Sequence, residues 1–359
     1  MAYLQLNTKS LKHNFKYLDA IFKKDRKEWG VVTKLLCGNE LFLKELLKLK
    51  PKTVLDSRLS NLKKIKEIDP SVETVYIKPV PQRSIDDLLA FADISFNTQF
   101  STIKAINDRA LKLGKRHQIV IMIEMGDLRE GVMREDFIDF YDKVFNLKGV
   151  EVVGLGANLN CMNGIMPSHD KLIQMSLYEQ LIEAKFNKKI KWVSAGTSIS
   201  FPLLTKGLVP EGVNHFRIGE TLYFGNDIVE HTNIPEMKQD VFLLKAEIIE
   251  IIEKPKNPTG LVGVNVAGEK PSFEIMDYKE TSYRAILDIG LLDVDPKHLT
   301  IIDEDHDKYG LVGSSSDMIV IDVDENKANF KVGDLVSFKV DYMGALTLLN
   351  SKYIGKRII

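Results

Sequence analysis

Residues 30–39 read GVVTKLLCGN, and the chain is best followed outward from them. Gly30-Val31-Val32-Thr33 is a short apolar, β-branched run of the kind a buried strand carries. It ends on Lys34 and enters a Cys37-Gly38-Asn39 turn. A lysine closing such a run is expected to be partly desolvated, which disfavours the ammonium form. Such a lysine can be a nucleophilic amine, with Schiff-base chemistry its usual use. Taken alone, a strand-end lysine more often snorkels to solvent. Its neighbours in sequence decide between the two.

Seven similar runs follow, at Thr53–Leu55, Thr74–Ile77, Ile94–Phe96, Ile119–Ile123, Val150–Leu155, Ile190–Val193 and Val213–Ile218. Helical patterns fill most of the gaps. Leu11, Phe15, Leu18 and Phe22 mark an amphipathic helix ahead of the first run. Ser101 to Leu113 predicts another, with Ser101 as cap, Ile103, Ile106, Ala110 and Leu113 on one face, and Gly114 as a left-handed stop. A third runs from Glu135 to Phe145 with Phe137, Phe140, Tyr141 and Val144 inward. Eight βα repeats over about 200 residues predict an α/β fold, a (β/α)8 TIM barrel. A doubly wound open sheet competes, but no GxGxxG follows an early strand.

Near Gly225–Pro235 the pattern changes. Closely spaced β runs at Val241–Ile252, Tyr283–Ile289, Met318–Asp322, Leu335–Val340 and Leu346–Leu349 predict a separate, mostly antiparallel β domain. The boundary falls at 233 to 238, which gives a barrel over 1–235 and a β domain over 236–359.

Bulk composition narrows the function. The 359 residues carry 49 basic and 50 acidic side chains, a formal net charge of −1 with no long single-sign block. This argues against a nucleic-acid or membrane-surface partner. There are two cysteines, Cys37 and Cys161, far apart, as suits a reducing cytoplasm. The seven histidines are scattered without zinc-site spacing, so no protein-held metal is expected. No apolar run is long enough to span a bilayer, and a cytoplasmic location is expected.

In a TIM barrel the active residues stand at the C-terminal ends of the strands. Here that rule selects Lys34, Arg129 in EMGDLREGV, and Asn158, Asn160 and Cys161 in GLGANLNCMNG. It also selects the SAGTSIS stretch and Arg217 in HFRIGETLYFG. One lysine, two arginines and small hydroxyl residues on one rim suit an anionic, phosphate-bearing cofactor. SAGTSIS reads either as a phosphate cradle opening a short helix or as a turn with an N-cap serine. Gly219 either admits a close backbone approach or serves ordinary barrel packing. A buried Arg217 needs a partner, which a cofactor heteroatom or a carboxylate would supply.

The motifs TKLLCGN, GDLREG, NLNC, SAGTS and RIGE, with GSSSD near the C-terminus, follow one another along nearly the whole chain. In that order the chain resembles the fold-type III pyridoxal-phosphate enzymes, the alanine racemase family, and within it the ornithine racemase branch. The resemblance implies that Lys34 holds pyridoxal 5′-phosphate as a Schiff base and takes the α-proton on one face. It places Arg129 near the substrate carboxylate or the cofactor phenolic oxygen. It puts Asn158 under the pyridine ring, where alanine racemases carry a histidine. It assigns Thr197, Ser198 and the amides of Gly219 and Glu220 to the phosphate, and Arg217 to the pyridine nitrogen. A free basic amino acid, ornithine first, is the implied substrate, and a homodimer with active sites at the interface the implied assembly.

Racemisation also needs an acid/base on the opposite face. The family's tyrosine for that role comes from the second domain of the partner subunit. The corresponding stretch, Val264-Asn265-Val266-Ala267-Gly268-Glu269, has none, and Gly38 stands where a tyrosine is expected four residues after the lysine. Cys161 is the first candidate to replace it, unless it is merely a packed cysteine. Asp317 in GSSSDM is the second, unless it is a turn aspartate bonding its own backbone. Alanine racemisation, a fold-type III decarboxylase or lyase, and a non-catalytic pyridoxal-phosphate carrier are the rival functions.

Overall fold

The computed structural model describes residues 2–264, 268, 270, 280–302 and 309–359. The chain divides into two compact units, Lys9–Gln239 on one side and Met1–Thr8 with Asp240–Ile359 on the other. The first strand, β1 (Tyr3–Leu6), therefore belongs with the C-terminal residues.

The larger unit is built on a parallel sheet. Its strands are β2 (Glu28–Val32), β3 (Thr53–Asp56), β4 (Glu73–Tyr76), β5 (Ile94–Asn97), β6 (His117–Met122), β7 (Val150–Gly156), β8 (Trp192–Ser194), β9 (Gly196–Thr197) and β10 (His215–Ile218). Their order is β8-β7-β6-β5-β4-β3-β2-β10-β9. Because β9 follows β8 after a single residue, its pairing with β10 brings the sheet round almost to closure. This is the (β/α)8 barrel, and each of the eight apolar runs overlaps one of its strands. Such strands are buried on both faces, as in β3, β5 and β10, so they read as continuous apolar runs.

The helices on this unit are α1 (Thr8–Lys24), α2 (Glu40–Leu47), α3 (Leu59–Ile68), α4 (Ile85–Phe91), α5 (Phe100–Lys112), α6 (Phe137–Phe145), α7 (His169–Phe186), α8 (Phe201–Thr205) and α9 (Glu220–Phe224). Helix α1 buries Leu11, Leu18 and Phe22, but its fourth inward position is Asn14 rather than Phe15. Asn14 Nδ2 donates to Lys238 O at 2.8 Å, and its Oδ1 accepts from Lys238 N at 2.8 Å. Helix α5 starts one residue before Ser101, which does not cap it, and Leu113 is exposed. Gly114 does take the left-handed conformation, at φ 63°. Helix α6 buries Phe137, Tyr141 and Val144, with Phe140 only half-buried. After α9 a small hairpin, β11 (Asn226–Asp227) and β12 (Thr232–Asn233), leads out of the unit.

The second unit contains β13 (Phe242–Pro255), β14 (Thr281–Leu287), β15 (Leu299–Ile301), β16 (Gly310–Ser314), β17 (Ile319–Asp322), β18 (Leu335–Val340), α10 (Tyr342–Asn350) and β19 (Gly355–Ile358). The run β15-β18-β13-β14-β17-β16 is antiparallel throughout. Two expectations are corrected here. Strand β1, Tyr3–Leu6, does not belong to the barrel, since it pairs antiparallel with β13 and parallel with β19. And Leu346–Leu349 is helical, within α10. Asp341 caps α10, accepting from Gly344 N at 2.8 Å, and Gly344, Ala345, Leu348 and Leu349 are buried at helical spacing. A four-residue apolar run fits either conformation; the cap upstream settles it.

Candidate active site

Strand β2 stops at Val32, and Lys34 opens a single 3-10 turn, Lys34–Leu36. Leu35 and Leu36 point inward while Lys34 is exposed, so the expected desolvation of its amine is not found. The turn itself is fixed from below. Buried Thr33 donates Oγ1 to Asp56 Oδ2 at 2.8 Å, and Asp56 Oδ1 also accepts from Arg58 N at 2.9 Å and Asn61 Nδ2 at 3.1 Å. Burial pushes the Asp56 carboxyl up against the pull of these bonds. Gly38 has φ 69°, and a Cβ there would lie 2.5 Å from Asn61 Oδ1. The absence of a tyrosine at this position is therefore built into the loop, with Asn61 in its space.

Arg217, near the end of β10, is buried. Neither a carboxylate nor a cofactor atom is needed to pair it. Its Nη1 donates to Ser194 O and, at 2.8 Å, to Ser194 Oγ; its Nη2 donates to Ala157 O at 2.8 Å. The guanidinium also lies 5.5 Å from the Phe96 ring centre. Burial brings its pKa down to about 10, which leaves it charged at neutral pH.

SAGTSIS does open a short helical segment, the 3-10 turn Ser198–Ser200 running into α8. Thr197 caps it reciprocally with Ser200. Gly196 has no alternative, because a Cβ would sit 2.1 Å from the Phe216 ring on the paired strand. Ser198 Oγ accepts from Gly219 N at 3.3 Å and from Thr221 N at 3.4 Å. The Glu220 amide lies between those two donors, and the Glu220 side chain accepts from Asn226 Nδ2 at 3.5 Å. Thr221 Oγ1 is buried without a hydrogen-bond partner. Tyr223 OH donates to Val32 O at 3.3 Å, tying this segment to the strand that leads to Lys34.

The third part of the rim is made by the loops after β6 and β7. Arg129 pairs with Glu130, and the Asn158 carboxamide, oriented with its oxygen toward the guanidinium, accepts from Arg129 Nη1 at 2.9 Å. Glu130 beside it holds the Arg129 guanidinium's pKa up, with Cys161 contributing as a further electrostatic and hydrogen-bonding partner. Cys161 is exposed and also interacts electrostatically with Arg217. Asn160 Nδ2 donates to Met166 Sδ at 2.7 Å. So Arg129, Asn158, Cys161 and Arg217 are brought together.

Asp317 is not among the residues the barrel assembles. It lies in the exposed turn between β16 and β17, in the other unit, where Ser316 Oγ donates to it at 2.8 Å. In the stretch 264–269, residues 265–267 and 269 lie outside the described residues. Among the described residues there is no cluster of His, Cys, Asp or Glu able to hold a metal ion. No described helix is long and apolar enough to cross a membrane.

The profile of the family described as alanine racemase, N-terminal domain, matches residues 6–227. The chain belongs to the alanine racemase family. An ornithine racemase from Acetoanaerobium sticklandii is 34% identical over 357 residues, covering 99% of this chain and 99% of its own. A lysine racemase from Thermotoga maritima is 29% identical over 354 residues, covering 98% and 97%. Among solved structures, the alanine racemase of Bartonella henselae, with covalently bound pyridoxal phosphate, superposes with a TM-score of 0.75. It covers 100% of this chain and 99% of its own at 17% identity, a likeness of fold.

The residues of this family member fit such a cofactor. There is an exposed amine at Lys34, a buried hydroxyl at Thr221 lacking a partner, and a Ser198 hydroxyl set against two backbone amides. Sequence reasoning missed Asp56 and Asn61, and it assigned no role to Ser194 or Asp127 within the stretches it selected. Asp56 and Ser194 act through residues more than twenty positions away, Thr33 for the first and His215 and Arg217 for the second, and Asn61 acts only through Asp56. Asp127 sits inside GDLREG, and its partners lie more than thirty residues away in NCMNG.

Proposed function

We propose that the chain is a pyridoxal-phosphate-dependent racemase of a basic amino acid, ornithine first. The observation that carries this is the full-length match to racemases of ornithine and lysine in a chain whose Lys34, Arg129, Cys161 and Arg217 stand on one barrel rim. Pyridoxal phosphate, when bound, supplies the electron sink that makes an α-proton removable. Lys34 is the amine that would hold its aldehyde carbon and carry the proton on one face. Thr197, Ser198 and the amides of Gly219 and Glu220 bind the phosphate. Arg217, whose pKa is brought down to about 10 and which stays charged at neutral pH, would donate a hydrogen bond to the ring nitrogen without giving up its proton. Held that way, the ring would be a modest electron sink, which suits return of the proton to the α-carbon.

Asn158 supports the ring, and Arg129 orients the substrate carboxylate. Cys161, beside two guanidinium groups, is the acid/base on the other face. Asp317, contributed by a second subunit of a homodimer, is the alternative. A cytoplasmic homodimer is the proposed form, with two cysteines in the chain suiting a reducing compartment.

The test is spectroscopic and chemical. Protein mixed with pyridoxal phosphate and reduced with borohydride is expected to carry the pyridoxyl group on the peptide containing Lys34, and Lys34→Ala is expected to carry none. A protein that stays colourless and unmodified, or is modified elsewhere, rules the assignment out.

A further inference from the structure

Asp127 has no part in the roles above, yet it is 1% exposed. Its carboxylate accepts four backbone amides, from Cys161 at 3.2 Å, Met162 at 3.1 Å, Asn163 at 3.1 Å and Ile165 at 3.4 Å. Asn163 returns the contact, its Nδ2 donating to Asp127 O at 2.7 Å. Desolvation works against the charged form, but the four amides outweigh it and hold the carboxyl below its ordinary range. A carboxylate has about four lone-pair sites, and one loop fills them.

The geometry is that of a bracket. Arg129 stands two residues beyond Asp127 on the loop after β6, and Cys161 is the first residue of the segment Asp127 grips on the loop after β7. We propose that Asp127 is a positioning residue, whose carboxylate holds the 161–165 loop so that the Cys161 thiol stands against the Arg129 guanidinium. Its catalytic consequence rests on the racemase reading; the placement itself does not. Asparagine cannot substitute, because it has one acceptor oxygen and turns an NH2 toward the same amides.

The test is a double-mutant cycle in the Cys37→Ser background, where Cys161 is the remaining cysteine. The parent, Arg129→Gln, Asp127→Asn and the double variant are each loaded with pyridoxal phosphate. Each is then alkylated with iodoacetamide and followed by mass spectrometry. Removing a neighbouring cation slows thiol alkylation, so Arg129→Gln is expected to slow Cys161 about fivefold in the parent. In the Asp127→Asn background the same change is expected to matter less than about twofold. An undiminished effect of Arg129→Gln in Asp127→Asn overturns the proposal.

Should Asp127→Asn fail to fold, Asp127→Glu, which keeps the charge but carries the carboxylate one methylene out of register with the four amides, takes its place. Partial loss of coupling is then expected, and full coupling overturns the idea. In the same proteins Asp127→Asn is expected to keep α-proton exchange with ornithine while inversion drops about tenfold. If the parent racemises no amino acid, the functional reading fails, while the alkylation cycle still decides the placement.

Discussion

At the scale of the residue, Arg217 shows how the barrel tolerates a buried cation. Its fork divides between two carbonyls and a serine hydroxyl contributed by the ends of β7 and β8. Lysine keeps the charge but has no planar fork to serve both strands at once. Arg217→Lys is therefore expected to leave a buried acceptor unpaired and to cost roughly 1–3 kcal/mol, read from urea unfolding. A change within about 0.5 kcal/mol contradicts this account of the guanidinium. The arginine was legible as a rim residue from its place after an apolar run, but its partners were not. Ser194 and Ala157 precede it by 23 and 60 residues, distances at which sequence spacing carries no geometric information. Lys34 was legible for the same reason. The exposure of its amine was not, because the chain turns one residue earlier than the apolar run suggests.

At the scale of the element, two strands open on buried histidines, each bonded to a serine on a neighbouring strand. His117 Nε2 lies 2.9 Å from Ser95 Oγ, and His215 Nδ1 lies 2.8 Å from Ser194 Oγ. Burial lowers His117 to about 4 and drives His215 well below its ordinary value. Both are neutral in the fold, whereas an unfolded histidine takes up a proton near pH 6.5. Between those values the unfolded state binds more protons, so this stability is complete above about pH 6.5 and is lost as pH falls toward 4. His117 alone is worth on the order of 3 kcal/mol over that window. Urea midpoints measured from pH 7 to pH 4 are expected to fall, and His117→Gln to fall less steeply. Parallel slopes would falsify the assignment. The strands carrying these histidines were readable because both their faces are buried and their apolar runs are continuous. Helix α10 was not, since four apolar residues after a β-rich stretch have no period of their own.

At the scale of the whole molecule, the first strand of the chain serves the last unit. Strand β1 lies between β13 and β19, four residues paired on each side. No local signal announces this, because TYR-LEU-GLN-LEU alternation at positions 3–6 suits either unit equally. Deleting residues 2–8 uncovers the edges of β13 and β19. Amide hydrogen exchange is then expected to speed up across 240–359, with 9–239 close to the parent. Unchanged protection over 240–359 contradicts the shared sheet. The similarity to the ornithine racemase of Acetoanaerobium sticklandii spans both units.

The central claim is that Lys34 supports inversion at the α-carbon of a basic amino acid. It is tested most directly by incubating the pyridoxal-phosphate-loaded protein with L-ornithine in deuterated buffer and separating the enantiomers chromatographically. The account predicts deuterium at Cα in D-ornithine as well as in recovered L-ornithine, with at least a ~1,000-fold loss in Lys34→Ala. Efficient racemisation of alanine with none of ornithine contradicts the substrate. Exchange that never inverts, or inversion that survives in Lys34→Ala, contradicts the mechanism.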